Sequence, residues 1–199
     1  MSPRPDVSEE RRNQIIESAI KVFAREGFAN TRMEDVATES GLSKGLLYWY
    51  FKSKDDIIIA IADLLFSAEF RKMQNLSIEG QTSRDCLEKL FDIFIKDLRN
   101  ILKLTPVIYE FYALAFRNST VRHVMHEYYQ RFIMIMEPII QQGMERGEFR
   151  SGDARQVTIT IGAAFEGTLL LWSYAPDMIQ PEQQLRASLD ILIRGLECQ

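Results

Sequence analysis

Residues 31–54 read TRMEDVATESGLSKGLLYWYFKSK, and they divide into two short helices separated by a turn. Thr31 and Glu34 have the spacing of a capping box, in which a hydroxyl takes an orphan amide and the carboxylate reaches back to the cap. The helix this opens carries Met33, Val36 and Ala37 on one face. Gly41-Leu42-Ser43 then breaks it, because glycine accepts the left-handed conformation that ends a helix and serine is a preferred cap for the next one. The second helix, from Lys44 to about Phe51, is anchored by Leu46 or Leu47 and by Phe51. Its other side carries Lys44, Gly45, Tyr48 and Trp49, with Tyr50 near the edge. A capped helix, a glycine turn and a second short helix form the helix-turn-helix layout, whose second helix enters the DNA major groove.

Upstream, Ile15, Ile16, Ala19, Ile20 and Phe23 recur at helical spacing, and Gly27 closes that helix. Downstream, Ser53 with Asp55 and Asp56 opens a long helix reaching about Met73, followed by a polar break over residues 77–81. Thr82 and Asp85 cap a helix with Leu87, Leu90, Phe91, Phe94, Leu98 and Ile101 inward. Thr105-Pro106 reads as the start of another, since proline costs no hydrogen bond at a first helical position. Ser119 or Thr120 caps a long helix kinked at Pro138, Asp153 caps an apolar one ending near Tyr174, and Pro181 opens the last. The expectation is an all-α fold of about nine helices.

Composition narrows the class. The chain has 199 residues, 46% of them hydrophobic and 26% charged, the balance of a globular protein with a core. No run of about 18 apolar residues free of charge suggests a membrane span, and the first six residues resemble a short disordered arm rather than a leader. The expected location is the cytoplasm. Cys86 and Cys198 form no Cys-x-x-Cys pair, so both read as reduced thiols, Cys198 at a fraying end. Net charge is −4, and residues 1–55 carry nine cations against nine anions. Charge alone therefore does not suggest DNA; position does.

The 31–54 segment, preceded by residues 16–28 (IESAIKVFAREGF), is similar to the N-terminal signature of TetR-family repressors over roughly residues 9–65. That resemblance implies base or phosphate contacts from Thr31, Arg32, Ser43, Lys44, Gly45, Tyr48, Tyr50 and Lys54. A lysine can donate to guanine O6 and N7, glycine admits a thymine methyl, and hydroxyls and Lys54 can reach phosphates. Members often have histidine where Tyr50 stands; tyrosine keeps the donor. Trp49 either touches DNA sugar or packs on the first helix. The resemblance divides the chain into a DNA-binding domain, residues 9–54, and a ligand-binding and dimerisation domain, residues 55–199. Residues 145–150 (ERGEFR) with Asp153-Ala154 are similar to the junction before the family's last two helices, which pair across its dimers. Leu185, Leu189, Leu192 and Leu196 give the last helix a seam for a homodimer, part of which can equally face its own core.

The remaining candidates concern a ligand. Phe94, Tyr109, Tyr112, Phe116, Tyr128, Phe132, Phe165 and Trp172 are aromatics that line a pocket or fill a core. Glu110 and Glu166 sit among them and are the carboxylates best placed to pair with a cationic ligand, or else Glu110 faces water and Glu166 pairs with an arginine. His123 and His126 with Glu127 have possible metal spacing but lack a fourth ligand and read as surface residues. No metal, cofactor, nucleophile motif or phosphate-binding glycine loop is expected. The leading reading is a regulator released from a pseudo-palindromic operator by a small hydrophobic molecule; a helical ligand-binding or scaffold protein without operator binding is the other.

Overall fold

The computed structural model describes residues 7–74 and 80–197. The expected N-terminal arm, most of the polar break at residues 77–81, and Cys198 lie outside them. Among the described residues eight helices follow in order: α1 (Val7–Glu26), α2 (Met33–Ser40), α3 (Lys44–Tyr50), α4 (Lys54–Gln74), α5 (Ser83–Ala115), α6 (Ser119–Glu145), α7 (Ala154–Tyr174) and α8 (Pro181–Leu196).

Two helices were expected where α5 runs through Pro106 unbroken. The physical reason is local. Proline cannot donate to the carbonyl four residues back, that of Leu102, and the Thr105 hydroxyl donates to that oxygen instead, at 2.7 Å. Two caps also differ from expectation. Arg32, not Thr31, is the N-cap of α2, and its amide donates to Asp35 Oδ2 at 2.7 Å. At α6 the cap is Asn118, whose side-chain oxygen accepts from the amides of Thr120 and Val121. The Ser43, Asp153 and Pro181 starts are as read from the sequence, and Gly41 ends α2 at φ +67°.

The chain forms two compact units, each built from two separate stretches of sequence. One comprises residues 1–67 with 106–126; the other comprises 68–105 with 127–199. In the first unit, Ile15, Ile16, Ala19 and Phe23 of α1 pack with Val36 of α2, Leu47 of α3 and Ile57, Ile58 and Ile61 of α4. Val107 and Phe111 of α5 and Val121 of α6 enter the same core, which is why the start of α4 and the α5–α6 elbow belong to it. Each such side chain contributes about 1.5–3 kcal/mol by leaving water.

In the second unit, Leu87 and Leu90 of α5 pack with Ile139 and Ile140 of α6, with Phe149 and with Leu189 and Ile193 of α8. A second cluster joins Leu98, Leu169 and Leu185. The leucine seam of α8 is therefore largely intramolecular. Leu185 and Leu189 are buried, Leu196 packs half-buried on the first cluster, and Leu192 is half-buried. The outer faces are different residues: Ala163, Leu170, Leu171 and Tyr174 on α7, and Ala187, Ile191 and Gly195 on α8. By length and composition α7 could cross a membrane, but its Ala154, Thr158, Gly162, Thr168 and Leu169 are packed in this unit. Its other face is what makes it so apolar.

Candidate nucleic-acid interface and ligand chamber

The reading head is α3. Ser43 Oγ accepts from the Leu46 amide at 3.3 Å, which starts the helix. Leu47 is its one buried residue and drops into the core between α1 and α4; Leu46 is exposed. That registry turns Ser43, Lys44, Gly45 and Trp49 to solvent, with Tyr48 and Tyr50 half-buried beside them. Trp49 is 64% exposed and meets the Tyr50 ring edge-on, with centroids 4.6 Å apart. Packing of Trp49 on α1 is therefore not what the structure shows. No atom outside the helix lies within 4 Å of a Cβ built on Gly45, so the backbone there is open to an approaching surface.

Lys44 is ion-paired with Glu34 of α2 and stands 5.9 Å above the Tyr48 ring. The hydrogen bond between them raises the lysine pKa and lowers that of the glutamate. Both groups are exposed, so the pair is weak and gives way readily to a stronger acceptor. Lys52, exposed at the end of α3, donates to the Tyr48 carbonyl at 2.8 Å. It was not among the sequence candidates, although it lies inside the same segment. Arg32 is exposed at the start of α2.

Two of the expected contact residues have partners within the protein itself. Thr31 is buried, and its hydroxyl donates to the Gly27 carbonyl at 2.9 Å, so it is committed to the α1–α2 corner. Lys54 Nζ donates to the carbonyls of Phe28 (2.7 Å) and Thr31 (2.6 Å) and lies 4.4 Å from the Phe28 ring centroid. Burial lowers its pKa, against the opposing fields of Asp55 and Asp35. Lys54 thus ties the start of α4 to the corner between α1 and α2.

The ligand candidates separate. Tyr109, Glu110, Tyr112 and Phe116 fall in the first compact unit. Phe116 is 84% exposed, and Glu110 Oε1 accepts from the Phe28 amide at 3.0 Å. The Tyr109 and Tyr112 rings lie 5.9 Å apart. In the second unit, Phe94 of α5 meets Phe165 of α7 edge-on at 3.8 Å between centroids. Gly162 lets α6 approach α7 closely: a Cβ there would lie 3.0 Å from Phe132 and 3.4 Å from the Tyr129 hydroxyl. One turn further along α7 is Glu166. Burial first, and the Glu166 charge second, push the hydroxyls of Tyr128 and Tyr129 above the ordinary tyrosine pKa. Both phenols stay protonated at neutral pH, two donors within the field of one carboxylate. Tyr129 was not a sequence candidate. Trp172 is half-buried near the end of α7. Among the described residues no group of His, Cys, Asp and Glu has metal-site geometry.

Residues 15–61 match the model of bacterial regulatory proteins of the tetR family, and residues 84–196 match that of the C-terminal domain of BetI-type transcriptional repressors. The chain belongs to the TetR family. This TetR-family chain is 32% identical to the HTH-type transcriptional regulator YfiR of Bacillus subtilis over 75% of its own length and 74% of that protein. A transcriptional regulator from Saccharomonospora viridis, solved in complex with choline, superposes with a TM-score of 0.75 at 20% identity, covering 96% of this chain and all of that one. The transcriptional regulator FadR of Bacillus subtilis, solved in complex with stearoyl-CoA, gives a TM-score of 0.74 at 24% identity over 93% of this chain and 99% of that one. The TetR-family chain is thus a DNA-binding transcriptional regulator and not an enzyme.

Proposed function

We propose that this TetR-family chain is a cytoplasmic, homodimeric repressor that binds a pseudo-palindromic operator through α3 and leaves it when a hydrophobic cation binds between α5, α6 and α7. The observation that supports operator binding is the registry of α3, which buries Leu47 and presents Lys44, Gly45 and Trp49 together. A helix so displayed matches the major groove, with Ser43, Tyr48, Tyr50 and Arg32 positioned for phosphates. The apolar outer faces of α7 and α8 support the dimer, because an exposed stripe of this kind on a soluble protein marks a protein interface. Salt-dependent titration of a selected operator tests the reading, since neutralised phosphates make affinity fall steeply with salt. Affinity without salt dependence or sequence preference would favour the scaffold alternative. Lys44→Ala is expected to weaken the selected site about tenfold and to relax preference at the base pair it reads, measured by repeating the selection with the variant.

The charge of the ligand follows from this chain's own residues. Its structural neighbours take both choline, a cation, and stearoyl-CoA, an anion, so the fold does not choose between them. Glu166, with Tyr128 and Tyr129 beside it and Phe94, Phe132 and Phe165 in the same unit, favours a cation on an apolar body. The test holds the tail constant and varies the head: dodecyltrimethylammonium, dodecanol and dodecanoate, each below its micellar concentration. The ammonium is expected to raise the melting temperature and release operator, because a ligand shifts the equilibrium only by preferring one state. Glu166→Gln is expected to weaken the ammonium about tenfold while leaving the alcohol unchanged. Stabilisation by dodecanoate alone would overturn the assignment of charge without touching the repressor reading.

A further inference from the structure

A single residue, Phe28, holds the entry to the helix-turn-helix from two sides. The Phe28 amide donates to Glu110 Oε1 of α5 at 3.0 Å, and the Phe28 carbonyl accepts from Lys54 Nζ of α4 at 2.7 Å. An anion accepts from the N–H of one peptide group and a cation donates to the C=O of the next, so both hydrogen bonds are charge-assisted. The same ammonium also takes the Thr31 carbonyl, one residue before the cap of α2. Thr31 in turn returns its amide and hydroxyl to the Gly27 carbonyl. The corner from Gly27 to Thr31 is thereby fixed by α4 and α5, and α2 and α3 begin from it. Gly27 has φ +77°, and a Cβ there would lie 3.6 Å from Glu110 Oε1, so the carboxylate sits directly on the turn. A second tie from the α5–α6 elbow, Asn118 Nδ2 to Asp55 Oδ1 at 3.1 Å, holds the first turn of α4 beside Lys54.

We propose that Glu110 and Lys54 are positioning residues for operator binding: through the backbone on either side of Phe28 they set the start of α2, and so the placement of α3, without touching DNA. The inference rests on the operator-binding reading above. It gives α5 a defined output, since the helix that carries Phe94 carries Glu110 sixteen residues further on. A displacement of α5 then stretches one hydrogen bond at the corner that sets the reading helix.

The test uses the full-length protein and its selected operator, without ligand. Glu110→Ala is expected to lose about tenfold in operator affinity, and Glu110→Gln, whose amide oxygen can still accept from Phe28, to recover most of it. Lys54→Met should lose a similar factor with the slope of log affinity against log salt unchanged. A phosphate contact would lower that slope by about one. Amide exchange at Phe28 should be protected in wild type and in Glu110→Gln, and fast in Glu110→Ala, with Leu47 still protected in all three. This exchange measurement on wild type and Glu110→Gln stands even if the alanine variant fails to fold. Full operator affinity in Glu110→Ala, a Phe28 amide unprotected in wild type, or a reduced salt slope in Lys54→Met would each overturn the proposal while leaving operator binding intact. If wild type selects no operator, the functional reading falls and this one falls with it.

Discussion

Leu47→Ala is expected to abolish operator binding and to destabilise the unit that carries it by about 2–5 kcal/mol. Leu47 is the only buried residue of a seven-residue helix, fully enclosed by the core of α1, α2 and α4. So short a helix has almost no stability of its own, because nucleation in water is unfavourable and the tertiary anchor holds it. Truncating the anchor removes the transfer energy of the lost methyls and leaves a cavity that close-packed neighbours fill only partly. Operator binding should disappear even at low salt, where phosphate attraction is strongest. Thermal denaturation with amide exchange resolved by segment is the check. Leu46→Ala is the control: that side chain is exposed, so the same chemical change one residue earlier should cost little stability. Equal destabilisation by both variants would mean that the registry of α3 is misplaced.

The second large effect separates dissociation from unfolding. Ile191 lies on the outer face of α8 at 69% exposure, whereas Leu189, two residues earlier, is at 8% and part of the core. Ile191→Glu places a charge where the proposed partner subunit packs. It should yield a folded monomer with unchanged helix content and operator affinity reduced by orders of magnitude, since one reading head then binds without its mate. Leu189→Glu places the charge in the chain's own core, where an unpaired carboxylate is severely destabilising, and should unfold the second unit. Sedimentation with circular dichroism distinguishes the two. A dimeric Ile191→Glu protein would move the interface off this face of α8.

These pairs of residues also show what could be read from the sequence. The turn at Gly41, the cap at Ser43 and the anchor at Leu47 were legible because their partners lie within a few residues. Lys54 and Thr31 were not. Lys54 bonds carbonyls 23 and 26 residues away, and Glu110 bonds an amide 82 residues away, so nothing local distinguishes them from solvent-facing ions. The leucines of α8 were read correctly as one face, but periodicity cannot say whether that face meets its own chain or another. Phe94, Phe132, Phe165 and Glu166 come together in one unit while Glu110 and Phe116 fall in the other, a division that depends on where long helices cross between cores. Thr105-Pro106 carries the signature of a helix start and serves in mid-helix because the threonine hydroxyl takes over a carbonyl.

That same dipeptide has a mechanical meaning. Thr105 is the last residue of α5 in one compact unit, and Pro106 is the first in the other. Everywhere else along an α-helix, bending strains a ladder of amide-to-carbonyl bonds, and the ladder resists. At this step a rung is absent by covalent structure, and its carbonyl is held by a hydroxyl that can rotate and follow it. Along these thirty-three residues of helix, the backbone hydrogen bond that proline removes is the one at the step where the chain passes from one core to the next.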